Sequence, residues 1–269
     1  MTRLKYAVLL VVFLSASAAM AADLSVANTN PACNDTAGVP FCTIGAALDI
    51  ALSGDTITVA DGVYAEPISI EKNDLIVRGI DHPTIPGLQV AFPCGVCSVC
   101  IAASRVGFEG FEISGAGTNG ICVDSGSNNR VVGNWVLGSA LSGIELGGVI
   151  NVVTDNRVDN SRLLGIRVRG FGNNVLRNVA MNSHDRGFFV EGDRNILTNN
   201  QSVGNNFSGF AITGVRIDWL ETLRQRTMVV FGWEGDLASG VTTDSSAMSR
   251  QRIGEPDLPI LRFRVVVGK

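Results

Sequence analysis

The chain has 269 residues, and its 21 basic and 25 acidic side chains give a formal net charge of −4. This weakly acidic balance lacks the basic footprint of a nucleic-acid-binding protein, so we expect no nucleic-acid partner. The 31 glycines and the 17% share of charged residues favour a turn-rich β protein over a helical one.

The N-terminal residues have the pattern of an export signal. Residues 3–14 combine two positive charges with an apolar run, and Ala19-Met20-Ala21 forms a small-x-small cleavage site. The sequence therefore predicts a signal peptide over residues 1–21, a mature chain that starts at Ala22, and a secreted or periplasmic location. An uncleaved anchor is the alternative, although the apolar run is short for a membrane span. We expect no membrane span after cleavage.

The cysteines all follow the predicted cleavage site: Cys33, Cys42, Cys94, Cys97, Cys100 and Cys122. Export places them in an oxidising compartment, which favours disulfides, and we expect Cys33 to pair with Cys42 across a short loop. The alternative is a zinc or iron–sulfur site in the Cys-x2-Cys-x2-Cys run. That run has no nearby His for zinc, and it lacks the spaced fourth Cys and the following Pro of the cluster motif.

Between residues 43 and 80 the sequence predicts a capping helix and several short strands. Thr43 is the expected N-cap of a helix with an apolar face over residues 44–51. Strands are predicted at residues 56–59, 68–70 and 75–77. Residues 81–105 contain three prolines and the cysteine run, and we expect them to form an excursion from the main body.

A strict period of 22 residues runs through the middle of the chain. It is visible in three columns, which are Gly143, Gly165, Gly187 and Gly209; Asn134, Asn156, Asn178 and Asn200; and Ser139, Ser161, Ser183 and then Asn205. Apolar and polar positions alternate within each repeat, which predicts short strands. The frame of a leucine-rich repeat is absent, and a β-propeller blade is about twice as long. The period predicts an all-β fold, a right-handed single-stranded parallel β-helix with regular coils over about residues 106–213.

Stacked coils place equivalent positions above one another, about 4.8 Å apart. Apolar columns then fill the interior, and asparagine columns at the bends can form hydrogen-bonded ladders. The glycines are expected where the chain bends with positive φ or passes another segment closely. The outward positions of the strand after each column glycine are Cys122, Glu145, Arg167, Phe189 and Ala211, followed two residues later by Gly147, Arg169, Glu191 and Thr213.

The segment that opens the repeats carries a family resemblance. Thr43-Ile44-Gly45-Ala46-Ala47-Leu48, followed by Gly54-Asp55-Thr56-Ile57-Thr58-Val59, resembles the entry segment of the pectin-lyase-like β-helix superfamily, in which a capping helix leads into the coils. The coils at residues 120–212 are similar to that superfamily's repeat. The resemblance covers about residues 40–213 and places the β-helix domain at residues 22–214.

This resemblance implies an exported protein that binds or modifies a polysaccharide of the uronic-acid type, with lyase-like or hydrolase-like chemistry. Phe189 or Trp135 is a candidate for stacking on sugar rings, and Trp135 can equally belong to the core. Because one fold carries many activities, a non-catalytic structural or cell-surface protein is the alternative. A further resemblance is to the periplasmic β-helix protein that assists copper-enzyme maturation, although the sequence has no Met/His metal cluster. We expect a monomer.

In the resembling enzymes, charged residues exposed on a parallel sheet carry the chemistry: carboxylates hold calcium or act as acid and base, and Arg or Lys abstracts a proton. By this resemblance the candidate catalytic residues are Glu145, Arg167, Arg169, Glu191, His184 and Asp185. We expect Glu145 beside Arg167 and Arg169 beside Glu191. The alternatives are cross-strand ion pairs on a solvated face and a solvated turn at residues 184–186.

No group of three carboxylates matches the calcium site of a pectate lyase or the aspartate trio of a polygalacturonase. We therefore predict no cofactor, and calcium has no mapped site. Gly115-Ala116-Gly117-Thr118-Asn119-Gly120 matches the dinucleotide-binding pattern, but no helix is expected after it, so we interpret it as a glycine-rich turn.

The sequence stops following the repeat at about Val215. One interpretation is a C-terminal cap over the open end of the solenoid, built from an amphipathic segment with Trp219, Leu220, Leu223 and Met228. The other is a reading-frame shift near Gly214. Codons permitted for the residues after Gly214, read two bases later, allow Ala-Asn-Arg-Leu-Ala-Gly-Asn-Thr, which resembles another coil. In that case residues 215–269 are not selected for structure and are disordered.

Overall fold

The computed structural model describes residues 21–88, 90–92 and 94–213, and three short strands beyond them. This part of the chain contains the helix α1 (Ile44–Ile50) and a long succession of short strands. The strands are β1 (Asp23–Val26), β2 (Thr56–Val59), β3 (Ile68–Ile70), β4 (Ile76–Gly79), β5 (Thr84–Pro86), β6 (Val90–Phe92), β7 (Gly95–Ile101), β8 (Gly107–Glu109), β9 (Glu112–Ser114), β10 (Asn119–Val123), β11 (Arg130–Val132), β12 (Trp135–Leu137), β13 (Ile144–Leu146), β14 (Val152–Thr154), β15 (Arg157–Asp159), β16 (Ile166–Val168), β17 (Asn174–Leu176), β18 (Val179–Met181), β19 (Arg186–Val190), β20 (Ile196–Thr198), β21 (Gln201–Val203), β22 (Ser208–Ile212), β23 (Asp218–Leu220), β24 (Met228–Val230) and β25 (Gly240–Val241).

The described strands form three sheets that run along a solenoid. The nine-stranded sheet has the order β1-β2-β4-β8-β11-β14-β17-β20-β23. The ten-stranded sheet has the order β25-β24-β22-β19-β16-β13-β10-β7-β3, with β6 beside β7, and the six-stranded sheet has the order β21-β18-β15-β12-β9-β5. The coils number about seven, with about 22 residues each. The predicted right-handed parallel β-helix with an N-terminal capping helix is confirmed.

The interior is filled by apolar columns that repeat from coil to coil. In the ten-stranded sheet, Ile144, Ile166, Phe188 and Phe210 follow one another in register and are at most 1% exposed. The rings of Phe188 and Phe210 stack with their centroids 4.7 Å apart. Burial of each such side chain stabilises the fold by about 1.5–3 kcal/mol, so neighbouring coils stabilise one another.

Two asparagine ladders close the bends, as the columns predict. In one ladder the backbone N–H of Asn134 donates to the Asn156 Oδ1 atom at 2.9 Å, and the Asn156 N–H donates to Asn178 Oδ1 at 3.0 Å. A second ladder has the same geometry and consists of Asn129, Asn151, Asn173 and Asn195. These side chains are buried, so each ladder satisfies backbone groups that the bends would otherwise leave without partners.

The column glycines Gly143, Gly165 and Gly187 are required for close packing, which is one of the two predicted reasons. A Cβ atom on Gly143 would lie 2.2 Å from a Val158 methyl group and 2.9 Å from the Gly165 carbonyl oxygen of the next coil. Positive φ occurs instead at the corners, where one column consists of Gly138, Asn160, Asn182 and Gly204. Glycine and asparagine tolerate this left-handed conformation, which explains their frequency in the sequence.

The N-terminal cap begins as predicted. The Thr43 hydroxyl accepts a hydrogen bond from the Ala46 N–H at 3.2 Å. The Glu66 carboxylate also accepts from the backbone N–H groups of Ile44 and Gly45, at 2.7 and 2.9 Å. A carboxylate at this position favours the helix N-terminus, and it comes from a residue more than 20 positions away, so the local sequence does not reveal it.

The prediction that residues 81–105 leave the main body is wrong for most of that segment. Strand β5 joins the six-stranded sheet beside β9, and β7 joins the ten-stranded sheet between β3 and β10. The part that departs from the coils is an antiparallel hairpin of β6 with the first residues of β7. Pro86 lies within β5, and Cys97 and Cys100 lie within β7, so neither residue type prevents strand formation here.

Three strands, β23, β24 and β25, extend the sheets beyond residue 213. Strand β23 pairs with β20 and keeps the spacing of 22 residues, since Leu197 lies opposite Trp219. Strand β24 pairs with β22, although Phe210 lies opposite Met228 and the spacing is shorter there. The rest of the predicted tail and the predicted signal peptide up to residue 20 lie outside the described residues. The choice between a cap and a reading-frame shift therefore stays a prediction.

Candidate functional site

One outward column of the ten-stranded sheet carries chemically active side chains. Glu145 lies opposite Arg167 on the next strand, and Arg167 lies opposite Phe189. This register places the column as predicted from the period. Arg169 and Glu191 come two residues after Arg167 and Phe189, immediately beyond the ends of β16 and β19. We call Glu145, Arg167, Arg169 and Glu191 the charged row.

The ion pairs of the charged row are mainly diagonal. The Arg167 Nε atom lies 2.7 Å from Glu191 Oε2, and Arg169 contacts Glu145 through its guanidinium. The predicted neighbours Arg167 and Glu145 also form an ion pair, with 3.8 Å between Arg167 Nη1 and Glu145 Oε1. Within the described residues no ion pair joins Arg169 to Glu191, so the predicted pairing of these two is replaced. Arginine side chains are long enough to reach the diagonal carboxylate, and this makes one linked network of four.

Solvent access differs along the charged row. The Glu145 side chain is 13% exposed, whereas the Arg169 side chain is 47% exposed. Arg167 and Glu191 are intermediate, at 29% and 31%. Partly exposed pairs of this kind contribute little stability each. Arg169 therefore offers the most accessible guanidinium of the row.

Aromatic rings and a further arginine extend the row toward β22. The Arg186 guanidinium lies 5.2 Å from the Phe189 ring centroid and 4.9 Å from that of Phe207, and Arg167 lies 5.9 Å from the Phe189 centroid. These distances are typical of cation–π contacts. Arg186 also binds the Asp185 carboxylate at 2.7 Å.

The remaining predicted site residues are placed differently. Asp185 is linked to the charged row indirectly. It pairs with Arg186, which lies over the Phe189 ring, and Arg167 of the charged row lies near the same ring. His184 is exposed on its turn, and its backbone N–H donates to the Ser161 carbonyl oxygen at 2.9 Å. The structure therefore brings four of the six candidates into contact and leaves His184 at a neighbouring corner. The stacked position of Arg186 depends on three-dimensional contacts, which the period alone does not predict.

A shallow depression lies where the strands of the ten-stranded sheet end. Its volume is about 470 Å³. The lining residues are Gly148, Val149, Arg169, Gly170, Phe171, Glu191, Gly192 and Asp193. Phe171 is 42% exposed, and the Arg194 guanidinium lies 5.1 Å from its ring centroid. The depression thus joins one arginine and one glutamate of the charged row to an exposed aromatic ring.

Trp135 lies on another face of the solenoid. It points outward from β12 in the six-stranded sheet, is 43% exposed, and stacks on the His82 ring with 4.3 Å between centroids. The alternative that Trp135 belongs to the core is therefore wrong. Ion pairs also occur at corners, where Arg177 binds Asp155 at 2.7 Å and lowers the pKa of that carboxyl.

Three disulfides join all six cysteines. The predicted pair Cys33–Cys42 is present, and the other pairs are Cys94–Cys100 and Cys97–Cys122. Cys122 lies opposite Glu145 in the outward column but is 3% exposed, because the disulfide-linked hairpin covers it. The hairpin therefore forms a step at one end of the otherwise open charged row. Disulfides are typical of an oxidising compartment.

Metal donors are not assembled in this oxidised form. Across the described residues, no group of three His, Cys, Asp or Glu side chains lies together as metal ligands do. The cysteine sulfurs are occupied by disulfides, and His82 is stacked on Trp135. The described part of the chain also contains no helix that is long and apolar enough to cross a membrane.

Solved structures with a similar fold include two lyases. Pectate lyase Pel9A is 18% identical with a TM-score of 0.59, and the match covers 73% of this chain and 63% of that one. A rhamnogalacturonan lyase is 14% identical with a TM-score of 0.56, and the match covers 78% and 66% of the two chains. The chain spans less than two thirds of both proteins, and at these identities the likeness shows the fold alone.

Sequence comparison gives a family. None of the curated proteins matches the sequence significantly. One family model does match, and it covers residues 48–218, which is more than half of the chain and includes the coils and the charged row. The chain therefore belongs to the family described as periplasmic copper-binding protein (NosD).

Proposed function

We propose that this chain is an exported β-helix protein that binds an acidic polysaccharide of the uronic-acid type along the charged row. The observation that carries the proposal is the depression of about 470 Å³, in which Arg169 and Glu191 meet the exposed ring of Phe171. A guanidinium binds a carboxylate through paired hydrogen bonds. An apolar ring beside a few convergent polar groups is the usual composition of a small-molecule site.

The row is also the right shape for a polymer. Its residues follow one another from coil to coil, so equivalent outward positions repeat about every 4.8 Å along the solenoid. Arg169 makes one ion pair with Glu145 and is 47% exposed, and a guanidinium has five N–H donors. Arg169 can therefore bind a sugar carboxylate while it keeps its partner.

Binding is favoured over catalysis by the state of the carboxylates. Glu145 and Glu191 both form ion pairs with arginine side chains in the resting protein, so a sugar must compete with an arginine to contact either carboxylate. Lyase-like or hydrolase-like activity would require substrate to displace these pairs. Calcium would require a carboxylate set that the charged row does not offer.

The family's description names copper, and the oxidised chain does not match it. The described cysteines are paired with one another, and no cluster of three metal-donor side chains is present among the described residues. Copper chemistry therefore has no part in this proposal.

Export with signal cleavage after Ala21 is part of the proposal. The backbone nitrogen of Ala22 lies 2.7 Å from Asp55 Oδ1. Cleavage would turn that nitrogen into a charged α-amino group, so the hydrogen bond would become an ion pair at the first residue of the mature chain. The family's description as periplasmic and the three disulfides support a secreted or periplasmic location.

A second candidate is a non-catalytic structural or cell-surface protein. The charges of the row satisfy one another, and ion pairs on an open face contribute little by themselves. In that case the solenoid is a rigid stalk and the row has no ligand.

Retention of the mature protein on immobilised polygalacturonate, alginate and neutral dextran separates these functions. We expect retention on the acidic polymers and none on dextran. Replacement of Arg169 by Ala should weaken binding about tenfold or more, since a charged hydrogen bond is worth about 1.5–3 kcal/mol. Arg157→Ala is the matched control, because Arg157 is also exposed and paired but lies on the six-stranded sheet.

The outcomes are distinct. Equal weakening by Arg157→Ala would mean that binding depends on overall charge and that the row is no site. Absence of retention on both acidic polymers would support the stalk. Ultraviolet-absorbing unsaturated products, or new reducing ends, would show that the protein also cleaves its ligand.

A further inference from the structure

The six-stranded sheet has an outward column in which an indole ring and a carboxylate are neighbours. Trp135 on β12 lies directly opposite Glu112 on β9. Both side chains point away from the core, because the residues that follow them, Val136 and Ile113, are fully buried. Equivalent positions on neighbouring coils are about 4.8 Å apart, so one small ligand can contact the indole and the carboxylate together.

The Trp135 ring is not covered by a cation, in contrast to two exposed phenylalanine rings. Arg186 lies over the ring of Phe207, and Arg194 lies over the ring of Phe171. Within the described residues no Arg or Lys side chain lies over Trp135, although Trp135 is 43% exposed. Indole is the strongest cation–π acceptor among the aromatic side chains. The ring that attracts a cation most strongly is therefore open to one.

The carboxylate beside this ring is also open to a cation. The Glu112 side chain is half-buried, and it takes part in none of the ion pairs of the described residues. The arginine on the other side of Trp135 is Arg157, which binds Asp159 at 3.3 Å. Glu112 thus differs from the two glutamates of the charged row, which both have arginine partners.

His82 holds the indole in one orientation. The His82 and Trp135 rings are stacked, with 4.3 Å between their centroids and 18° between their planes. His82 comes from the turn before β5 and is half-buried, so it supports the ring from the protein side. A side chain that is already ordered loses less conformational entropy when a ligand binds. The indole is therefore pre-organised.

We propose that Trp135 and Glu112 form a second binding site, and that its ligand is an amino-sugar unit of the glucosamine type. Such a unit carries an ammonium group directly on a ring whose C–H groups form an apolar face. The ammonium group donates charge-assisted hydrogen bonds to the Glu112 carboxylate, while the charge and the C–H face contact the indole. The site lies on a different sheet from the charged row and selects the opposite charge, so the inference goes beyond the proposed function and does not rest on it.

The test is isothermal titration calorimetry of the mature protein with a glucosamine tetramer and with its N-acetylated counterpart. Acetylation keeps the sugar rings and removes the positive charges. We expect the charged tetramer to bind about tenfold more tightly than the acetylated one. Replacement of Glu112 by Gln and of Trp135 by Ala should each weaken binding of the charged tetramer about fivefold or more.

Each variant has a matched control. Glu71→Gln also removes one exposed carboxylate, and Phe207→Ala also removes an exposed ring. Neither residue lies in a strand of the six-stranded sheet, so both controls should bind the charged tetramer like the unmodified protein. The titrations contain no acidic polymer, and their outcome is therefore separate from that of the charged row.

Several results would overturn the proposal. One is a control that weakens binding as much as its matched variant, which would mean that overall charge or any exposed ring is sufficient. Another is equal affinity for the acetylated tetramer, which would remove the role of the ammonium group. Equal affinity for choline or for a lysine tetramer would remove the role of the sugar ring. Absence of binding of the glucosamine tetramer at millimolar concentration would show that there is no such site.

Discussion

The asparagine ladder should be a main determinant of stability, and Asn156 is the position that tests this. Its Oδ1 atom accepts from the backbone N–H and the Nδ2 atom of Asn134, at 2.9 and 3.0 Å. Its Nδ2 group donates to the carbonyl oxygens of Val131 and Thr154 and to Asn178 Oδ1, at 2.8 to 3.0 Å. One buried side chain thus connects three coils.

Replacement of Asn156 by Ala removes all of these contacts, in which the two Nδ2 hydrogens are shared among three acceptors. The backbone N–H of Asn134 then has no acceptor and remains buried, which costs about 1–3 kcal/mol. The other lost bonds and the small cavity add a further 1–2 kcal/mol or so. We expect a total loss of about 2–5 kcal/mol, which is a large share of the 5–15 kcal/mol that is typical of a folded protein.

Urea unfolding followed by circular dichroism measures this loss. Asn206→Ala is the control, because Asn206 lies exposed on a turn and should change stability by less than about 0.5 kcal/mol. Asn156→Asp adds a sharper test, since at neutral pH it points a charged acceptor at the two carbonyl oxygens and should be at least as harmful as Ala. A loss below about 1 kcal/mol for Asn156→Ala, or one equal to the control, would refute the ladder argument.

Two further predictions concern the ends of the solenoid. Backbone N–H groups of Leu52 and Ala22 lower the pKa of Asp55, so its stabilising effect is complete above the unfolded pKa of about 4 and is lost as pH falls through the folded value. Between pH 7 and pH 3 the free energy of unfolding should therefore fall less steeply for the Asp55→Asn variant than for the unmodified protein. At pH 7 the variant should be about 2 kcal/mol less stable. Parallel curves of unfolding free energy against pH for the two proteins would contradict this prediction. For the tail, sequencing of the gene should show an alternative frame after Gly214 that continues the asparagine repeat, and a gene without one would leave the cap.

The periodic part of the molecule could be predicted from the sequence because each column is held together by contacts between equivalent residues of neighbouring coils. A residue such as Asn156 contacts the same residue type one coil away, so identity at a spacing of 22 is enough to place it. The role of Thr43 as N-cap could be predicted for a similar reason, since an N-cap side chain contacts the first turn of its own helix. The outward orientation of Glu145 and Arg167 follows from the alternation of a strand.

The candidate site depends on side-chain contacts that the 22-residue period does not predict. Arg169 reaches back to Glu145 instead of pairing with Glu191, because a long side chain selects among several carboxylates within reach. Arg186 lies between two rings, and one of these, Phe207, comes from the next coil. Such contacts depend on side-chain conformation and on which coil holds which residue, and the period constrains neither.

The outward column of the ten-stranded sheet changes its residue type at every coil, whereas the interior columns beside it barely change. From Cys122 the column passes to Glu145, Arg167 and Phe189, while the adjacent inward column stays apolar through Ile144, Ile166 and Phe188. A structural stalk would need polar residues in its outward column only to keep the protein soluble, and repeated Thr, Ser or Asn would be sufficient for that. The outward column instead presents a cysteine, charged residues and an aromatic residue in succession, and each of them contacts a neighbouring side chain. This contrast makes the charged row the place at which function should be tested first.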